Sequence, residues 1–301
     1  MDNILITGGT GLIGKHLGYK LKERGYAVSV LSRNSRHDAD IPEYFWDPEK
    51  GEIEKEALCR TDYIIHLAGA GMGDKRWTES RKKVIVDSRV KTAQLLFEKI
   101  PETQIKPKAF ISSSAVGYYG AITTDRIFSE TDPPSQDFLG ETCRQWEEAA
   151  DRFEGAGIRT VKIRTGVVLT PRGGALEKMK VPVLLGVGSA TGSGKQFLPW
   201  IHLDDLCGIY IRAIEDSNMT GAYNAVAPEH ITNRDFMKIL ARVLGRPFWF
   251  PRVPAIAMRL LFGEMSAMLL EGSRVSSEKI RATGYRFQFS ELSKALTDLF
   301  G

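Results

Sequence analysis

The sequence predicts an α/β fold, a doubly wound parallel sheet, on three observations. Short apolar runs suited to buried strands alternate with segments of helical period along most of the chain. The first run, Ile4-Leu5-Ile6, passes directly into a glycine-rich turn and then into a helical segment. Later runs end in small or hydroxyl-bearing residues, which leave room for a ligand at the carboxyl edge of a parallel sheet.

The opening stretch reads Ile4-Leu5-Ile6-Thr7-Gly8-Gly9-Thr10-Gly11-Leu12-Ile13-Gly14. Gly9, Gly11 and Gly14 fit G-x-G-x-x-G, and Gly8, Gly11 and Gly14 fit G-x-x-G-x-x-G. Glycine serves three needs there: a sharp strand-to-helix turn, close backbone approach to a pyrophosphate, and tight helix–strand packing. The helix that continues through His16 to Arg24 presents unpaired N–H groups and partial positive charge at its start. A second strand, Ala27 to Leu31, completes the βαβ unit that the motif requires. Gly8, Thr10, Gly11, Leu12, Ile13 and Gly14 are therefore the expected pyrophosphate contacts.

The end of that second strand selects the nucleotide. A site for NAD places an acid near the ribose 2′-hydroxyl, about 20 residues beyond the glycines. Here the chain reads Ser32-Arg33-Asn34-Ser35-Arg36, and the first acid is Asp38. A guanidinium matches a phosphate dianion in charge and in its fork of donors. NADP(H) is the expected cofactor, with Ser32 and Arg33 on its 2′-phosphate and Arg36 as a weaker contact.

Tyr63-Ile64-Ile65-His66-Leu67-Ala68-Gly69-Ala70 reads as a strand running into small residues. His66 follows three apolar positions and reads as a buried, hydrogen-bonded histidine. A helix spans Glu79 to Lys99; its Arg89 either reaches a cofactor phosphate or solvates the helix face. Arg81-Lys82-Lys83 on the same helix reads as a solvated face.

Lys108 to Gly120 is the second informative stretch, a strand ending in Ser112-Ser113-Ser114 and followed by Tyr118-Tyr119. Hydroxyls there can polarise a carbonyl or alcohol, and a phenol can carry a proton if positive charge lowers its pKa. The alternative is a serine-rich turn that caps the next element.

Asp137 to Phe153 reads as a helix with Trp146, Ala149, Ala150 and Phe153 forming an apolar core stripe. Arg159 to Leu169 reads as one strand, and Arg172-Gly173-Gly174 and Gly186 to Gly194 as binding loops. In Phe197 to Leu206, Asp204 or Asp205 is expected to cap the following helix. Gly221 to Val226 is a late strand, and Thr232 and Asp235 are spaced as a capping box opening a helix through Leu244. From Pro251 onward, Met258, Leu260, Leu261, Phe262, Met265, Met268, Leu269 and Leu270 crowd a short span, as a compact helical appendage would.

With 301 residues, 43% hydrophobic and 26% charged, the chain has the composition of a globular protein of one large and one smaller unit. The formal net charge is +4, without the basic stripe a nucleic-acid surface needs. Cys59, Cys143 and Cys207 are odd in number and widely spaced, which fits a reducing compartment and no zinc site. No apolar run approaches a membrane span, and the first strand begins at residue 3 or 4, before any leader. A cytoplasmic protein with no metal is expected.

These residues together resemble the short-chain dehydrogenase/reductase superfamily, extended type. The likeness is to its atypical branch labelled "epimerase family protein", which carries a small C-terminal domain of unknown function. It rests on Thr7 to Gly14, Leu31-Ser32-Arg33, His66-Leu67-Ala68-Gly69, Ser112 to Gly120, Arg164 to Leu169, Gly192-Ser193-Gly194, Trp200-Ile201-His202, Phe262-Gly263-Glu264 and Leu269 to Gly272. The resemblance implies a Rossmann-type NADP(H)-binding domain over residues 1–250, with substrate-side segments from about 170, and a small helical C-terminal domain over 251–301. It implies that Leu67 and Ala68, beside Gly69, line the adenosine side and that Val167 approaches the nicotinamide.

The superfamily's tyrosine and lysine stand four apart on the helix after the serine strand. Here that helix reads Asp137-Phe138-Leu139-Gly140-Glu141-Thr142-Cys143-Arg144-Gln145-Trp146-Glu147, with neither residue. The serine position survives as Ser114. Either Tyr118, Tyr119 or Glu141 moves the proton, or the superfamily's chemistry is lost. The expected function is an NADP(H)-dependent oxidoreductase or epimerase acting on a nucleotide sugar or another small hydroxyl or carbonyl substrate. The alternative is a catalytically silent NADP(H)-sensing regulator with a protein partner, since plastid and cyanobacterial relatives are associated with cell division.

Overall fold

The computed structural model describes residues 1–103 and 105–301. In chain order the strands are β1 (Asn3–Thr7), β2 (Ala27–Ser32), β3 (Glu43–Asp47), β4 (Glu52–Ile53), β5 (Tyr63–His66), β6 (Ala109–Ala115), β7 (Ile127–Phe128), β8 (Arg159–Thr165), β9 (Val167–Leu169), β10 (Trp200–His202), β11 (Gly221–Ala225) and β12 (Arg274–Val275). The α-helices are α1 (Leu12–Glu23), α2 (Lys55–Cys59), α3 (Glu79–Lys99), α4 (Phe138–Gly155), α5 (Gly174–Leu184), α6 (Leu203–Glu215), α7 (Asn233–Val243), α8 (Ala255–Phe262), α9 (Ala267–Leu270), α10 (Glu278–Ala282) and α11 (Leu292–Phe300).

Strand alternation sends successive residues of β1 to opposite faces of the sheet. Ile4 and Ile6 join Leu17 and Leu21 of α1 and Leu206 and Tyr210 of α6 in one core. Leu5 joins Ala93 and Leu96 of α3 and Ala150 and Phe153 of α4 in the other. The main sheet runs β11-β8-β6-β5-β1-β2-β3-β4. All pairs are parallel except β3 with β4. Strands β2 and β3 build outward on one side of β1, and β5 returns to the other. That reversal opens a crevice beyond the carboxyl ends of β1 and β5, where sheets of this kind bind ligands. The expected doubly wound sheet is the one observed.

Two expectations about elements change. The run from Arg159 to Leu169 breaks at Gly166, where a Cβ would stand 2.6 Å from the Pro199 carbonyl oxygen. The chain therefore leaves the main sheet, and β9 pairs in parallel with β10. The helix after β10 is not capped by an aspartate. Its N-cap is the His202 ring, whose Nδ1 accepts from the Asp204 N–H at 3.2 Å. Asp204 instead meets His16 at 2.6 Å and Lys20 at 2.8 Å, tying α6 to α1. Asp205 is fully buried and accepts from the Tyr285 hydroxyl and the Gln288 and Phe289 N–H groups at 2.8–3.0 Å. Burial pushes its carboxyl above the ordinary aspartate value. Thr232 caps α7 as expected, accepting from the Asp235 N–H at 3.2 Å, and its own hydroxyl donates to Asp235 at 2.7 Å.

Residues 251–301 hold α8, α9, α10, α11 and the strand β12, which pairs in parallel with β7. A third core joins Leu292, Ala295 and Leu296 of α11 with Phe236 and Leu240 of α7, Leu176 of α5 and Trp200 of β10. The carboxyl-terminal segment is thus packed against α5, α7 and β10 and carries a strand as well as helices. Among the described residues, no helix is long and apolar enough to cross a membrane.

Candidate functional site

The glycine turn meets its sterics residue by residue. Gly8 has φ +67°, and a Cβ there would lie 2.9 Å from the Leu67 carbonyl group. A Cβ on Gly9 would enter Val30 at 2.2 Å, and one on Gly14 would meet the Gly8 oxygen at 2.4 Å. Gly11 differs, because its only near neighbour is the Gly8 oxygen at 3.1 Å and the rest of its surroundings are open. A Cβ at 11 would be tight against that backbone oxygen alone, and its open side faces the start of α1, where a turn of this kind can receive a phosphate. Thr10, Gly11 and Leu12 are exposed on this turn, Ile13 is half-buried, and α1 begins at Leu12, one turn earlier than the sequence suggests.

Beyond β2, Ser32 is half-buried and its Oγ accepts from the Asn34 N–H at 3.3 Å. Arg33 is exposed and has no ion pair among the described residues. Arg36 is engaged with Glu43, both through its guanidinium and through a backbone bridge. The structure therefore separates the two arginines, leaving Arg33 available to an anion and Arg36 occupied.

His66 is fully buried and burial lowers its pKa to about 4, so the ring is neutral. The Thr7 hydroxyl accepts from the Leu67 and Ala68 N–H groups at 3.1 Å. Donation of its proton to His66 Nδ1, 2.8 Å away, leaves Nε2–H facing the Arg89 carbonyl at 3.3 Å. The histidine thus fixes the ends of β1 and β5 and the strand-to-loop turn at Leu67, as the reading of a buried histidine expects.

Arg89 does not solvate its helix. It is 7% exposed, and its Nη1 donates to the Ile85 carbonyl at 2.8 Å. A Cβ on Gly69 would stand 3.1 Å from its Cζ, so this glycine makes room for the guanidinium. Burial lowers its pKa to about 10, and no carboxylate pairs with it among the described residues. A buried, charged guanidinium without a carboxylate is costly unless a ligand anion or carbonyl meets it. The neighbouring basic run is also drawn in: Arg81 donates to the Gly71 carbonyl, and Lys82 pairs with Glu264 at 2.6 Å. Those two residues correct the expectation of a solvated face.

Arg89 opens onto a cavity of about 210 Å³ at the carboxyl edge of the sheet. Val167 and Gly166 form one wall, and Leu139, Thr142, Cys143 and Trp146 of α4 form the opposite one. Trp146 therefore belongs to the cavity, not only to the core stripe expected of it. The Arg89 Cζ lies 4.8 Å from its ring centroid, and its indole Nε1 has no hydrogen-bond partner among the described residues. Leu139 and Cys143 stand four apart on the face that looks into the cavity. The Cys143 thiol donates to the Ala115 carbonyl at 3.6 Å, and burial pushes its pKa up to about 12.

The residues expected to carry chemistry do not line this cavity. Ser114 is buried, and its Oγ donates to Glu147 at 2.7 Å. Glu147 also holds the Arg164 guanidinium through two 2.8 Å bonds. Tyr119 is buried with its hydroxyl on Asn224 at 2.7 Å, and burial raises its pKa to about 12 in spite of Arg164 at 3.0 Å. Tyr118 lies under Arg164, whose Cζ is 3.4 Å from its ring centroid, and burial raises its pKa as well. Glu141 bonds Arg144 and Gln145, which hold it down at about 2. Ser114 and the three expected proton carriers, Tyr118, Tyr119 and Glu141, are all engaged with other residues. The Ser114–Glu147–Arg164–Tyr119 network is what sequence reading missed. Its signals are an acid on the buried stripe of α4, beside Cys143 and Ala150, and an arginine inside a core strand.

The NAD dependent epimerase/dehydratase family model matches residues 4–226. The chain belongs to that family. A second model, for a domain of unknown function (DUF1731), matches residues 253–299. The epimerase family protein SDR39U1 of Mus musculus is 38% identical over 299 residues, covering 98% of this chain and 99% of the relative. A crystal structure of human epimerase family protein SDR39U1 with NADPH superposes with a TM-score of 0.88 at 36% identity, covering 99% of this chain and 98% of that one. A nucleoside-diphosphate sugar epimerase from Corynebacterium glutamicum gives 0.81 at 32% identity, covering all of this chain and 58% of that one. Family membership accounts for the glycine turn and the sheet.

Proposed function

We propose that the chain binds NADPH along the crevice at β1 and β5 and acts as an NADPH-dependent oxidoreductase on a small molecule. The observation that carries this reading is the glycine turn at the start of α1, where a Cβ on Gly11 would meet only the Gly8 oxygen and the remaining space is open to a pyrophosphate. The NADPH in the human relative's crystal structure supports it. The backbone from Gly8 through Thr10, Gly11, Leu12, Ile13 and Gly14 would hold the pyrophosphate. Ser32 and Arg33 would hold the 2′-phosphate, Leu67, Ala68 and Gly69 the adenosine side, and Arg89 and Val167 the nicotinamide end.

When bound, the cofactor supplies a hydride. Leu139, Trp146 and Val167 keep water from the reacting end. No histidine, lysine or tyrosine lines the cavity among the described residues, and Cys143 keeps its proton at neutral pH. A sugar epimerase must remove a hydroxyl proton, and the one carboxylate that lines the cavity among the described residues, Glu271, is exposed and already accepts from the Thr123 hydroxyl. Reduction of a carbonyl needs only a proton delivered, which water can provide. The same absence favours a second reading, an NADPH-sensing protein without turnover.

Calorimetric titration with NADPH and with NADH tests the proposal. Micromolar NADPH binding with NADH at least tenfold weaker is expected; no binding of either overturns it. Loss of NADPH absorbance with carbonyl compounds then separates the enzyme from the sensor.

A further inference from the structure

The inner cavity continues into a second one of about 570 Å³, and Ala121, Leu139 and Glu271 line both. Trp77 and Phe138 stand on one side of the outer cavity, Ala267 and Leu270 of α9 on the other. Together the two fall within the roughly 300–1,000 Å³ usual for small-molecule sites. Resting on the reading of NADPH at the inner end, we propose that their ligand is an uncharged, largely apolar carbonyl compound and not a nucleoside-diphosphate sugar.

Charge is the first argument. A nucleoside diphosphate brings two negative charges, which proteins meet with arginines, lysines or a helix start. The outer cavity offers one cation, Arg259, against the carboxylates Asp137, Glu264 and Glu271. Glu264 is paired with Lys82 at 2.6 Å, which also consumes that lysine. The inner cavity adds only Arg89, which the cofactor claims.

Hydrogen bonding is the second. A sugar ring needs several polar partners, yet the hydroxyl protons of the inner cavity are already donated to backbone carbonyls. Thr142 donates to Phe138 at 2.6 Å, Thr165 to Ile163 at 3.3 Å and Ser273 to Gly120 at 3.2 Å. Those hydroxyls can accept from a sugar but cannot donate to its oxygens, and a desolvated sugar oxygen without a donor disfavours binding. Aromatic walls are the third. Trp77 and Phe138 meet edge to face with centroids 4.9 Å apart, and the Trp77 indole N–H is spent on the Met72 carbonyl at 3.0 Å. That corner presents hydrocarbon.

The test titrates the full chain with benzylacetone, a neutral aryl ketone, and separately with UDP-glucose, each with and without saturating NADPH. Benzylacetone is expected to bind with a dissociation constant on the order of a millimolar or tighter, unaffected by added salt, while UDP-glucose shows no binding. Ala267→Trp, which fills the outer cavity, is expected to weaken benzylacetone at least tenfold. A shift of the Trp77 indole N–H resonance on adding benzylacetone locates the ligand independently should that variant not fold. Tighter binding of UDP-glucose, no binding of benzylacetone, or benzylacetone binding that leaves Trp77 unshifted overturns the proposal. Failure of the NADPH reading shows separately, as absent NADPH binding, while benzylacetone still decides the cavity in the ligand-free chain.

Discussion

The glycine turn and the α4 face stand on opposite sides of one crevice and behave differently. On the turn, Gly8, Gly9 and Gly14 are required by backbone or side-chain contacts of 2.2–2.9 Å, whereas a Cβ on Gly11 would be tight only against the Gly8 oxygen at 3.1 Å. On α4, the cavity-facing positions are Leu139, Thr142, Cys143 and Trp146, the Thr142 hydroxyl donates to the Phe138 carbonyl, and Glu147 is turned into the buried Ser114–Glu147–Arg164–Tyr119 network. The difference teaches that a backbone turn is set by local sterics, while the polar side chains of a facing helix can be spent on packing contacts made across the fold.

The comparison breaks if a change on one side is felt on the other. The largest expected effect is on α4. Glu147→Ala leaves Arg164, 3% exposed, without its partner, and should destabilise the fold by about 3–5 kcal/mol, measured by urea unfolding. On the turn, Gly11→Val should weaken NADPH by roughly a hundredfold, about 2.7 kcal/mol, a larger loss than the roughly 1 kcal/mol of fold stability that a poorer N-cap costs.

Acid sharpens the role of His66, which sits between the two regions. Its folded pKa of about 4 lies below the ordinary 6.5. Between those values the unfolded state takes up a proton that the folded state declines, so stability falls as pH drops through that window. The loss should approach about 3 kcal/mol by pH 4, and His66→Gln should flatten that part of the pH–stability curve.

Arg33→Ala should weaken NADPH by about tenfold or more and NADH hardly at all, because a charge-assisted bond to a phosphate contributes about 1.5–3 kcal/mol. Equal weakening of both nucleotides would place Arg33 away from the 2′-phosphate. The smallest effect is expected for Ser114→Ala, about 1 kcal/mol of stability from one buried hydrogen bond, with NADPH affinity unchanged. A tenfold loss of turnover with full stability would instead return Ser114 to the reaction.

The amino-acid sequence by itself determined the doubly wound sheet, the glycine turn and the absence of a tyrosine–lysine pair between Asp137 and Glu147. It could do so because strand burial, turn geometry and residue identity are local properties, written within a few residues of one another. It also placed His66 in the interior, from three apolar neighbours. It ranked Arg33 above Arg36, and only the tertiary structure supplies the reason that Arg36 is occupied, its pairing with Glu43. Tertiary structure alone turned Ser114 toward Glu147, 33 positions away, and bent the chain at Gly166 against Pro199. It brought Trp146 beneath Arg89 and set α9 opposite Trp77 and Phe138. These are contacts between residues far apart in the chain, where direction depends on which face a neighbouring element covers. No periodicity in one segment carries that information, so the substrate side of the crevice emerges only when the cores have closed.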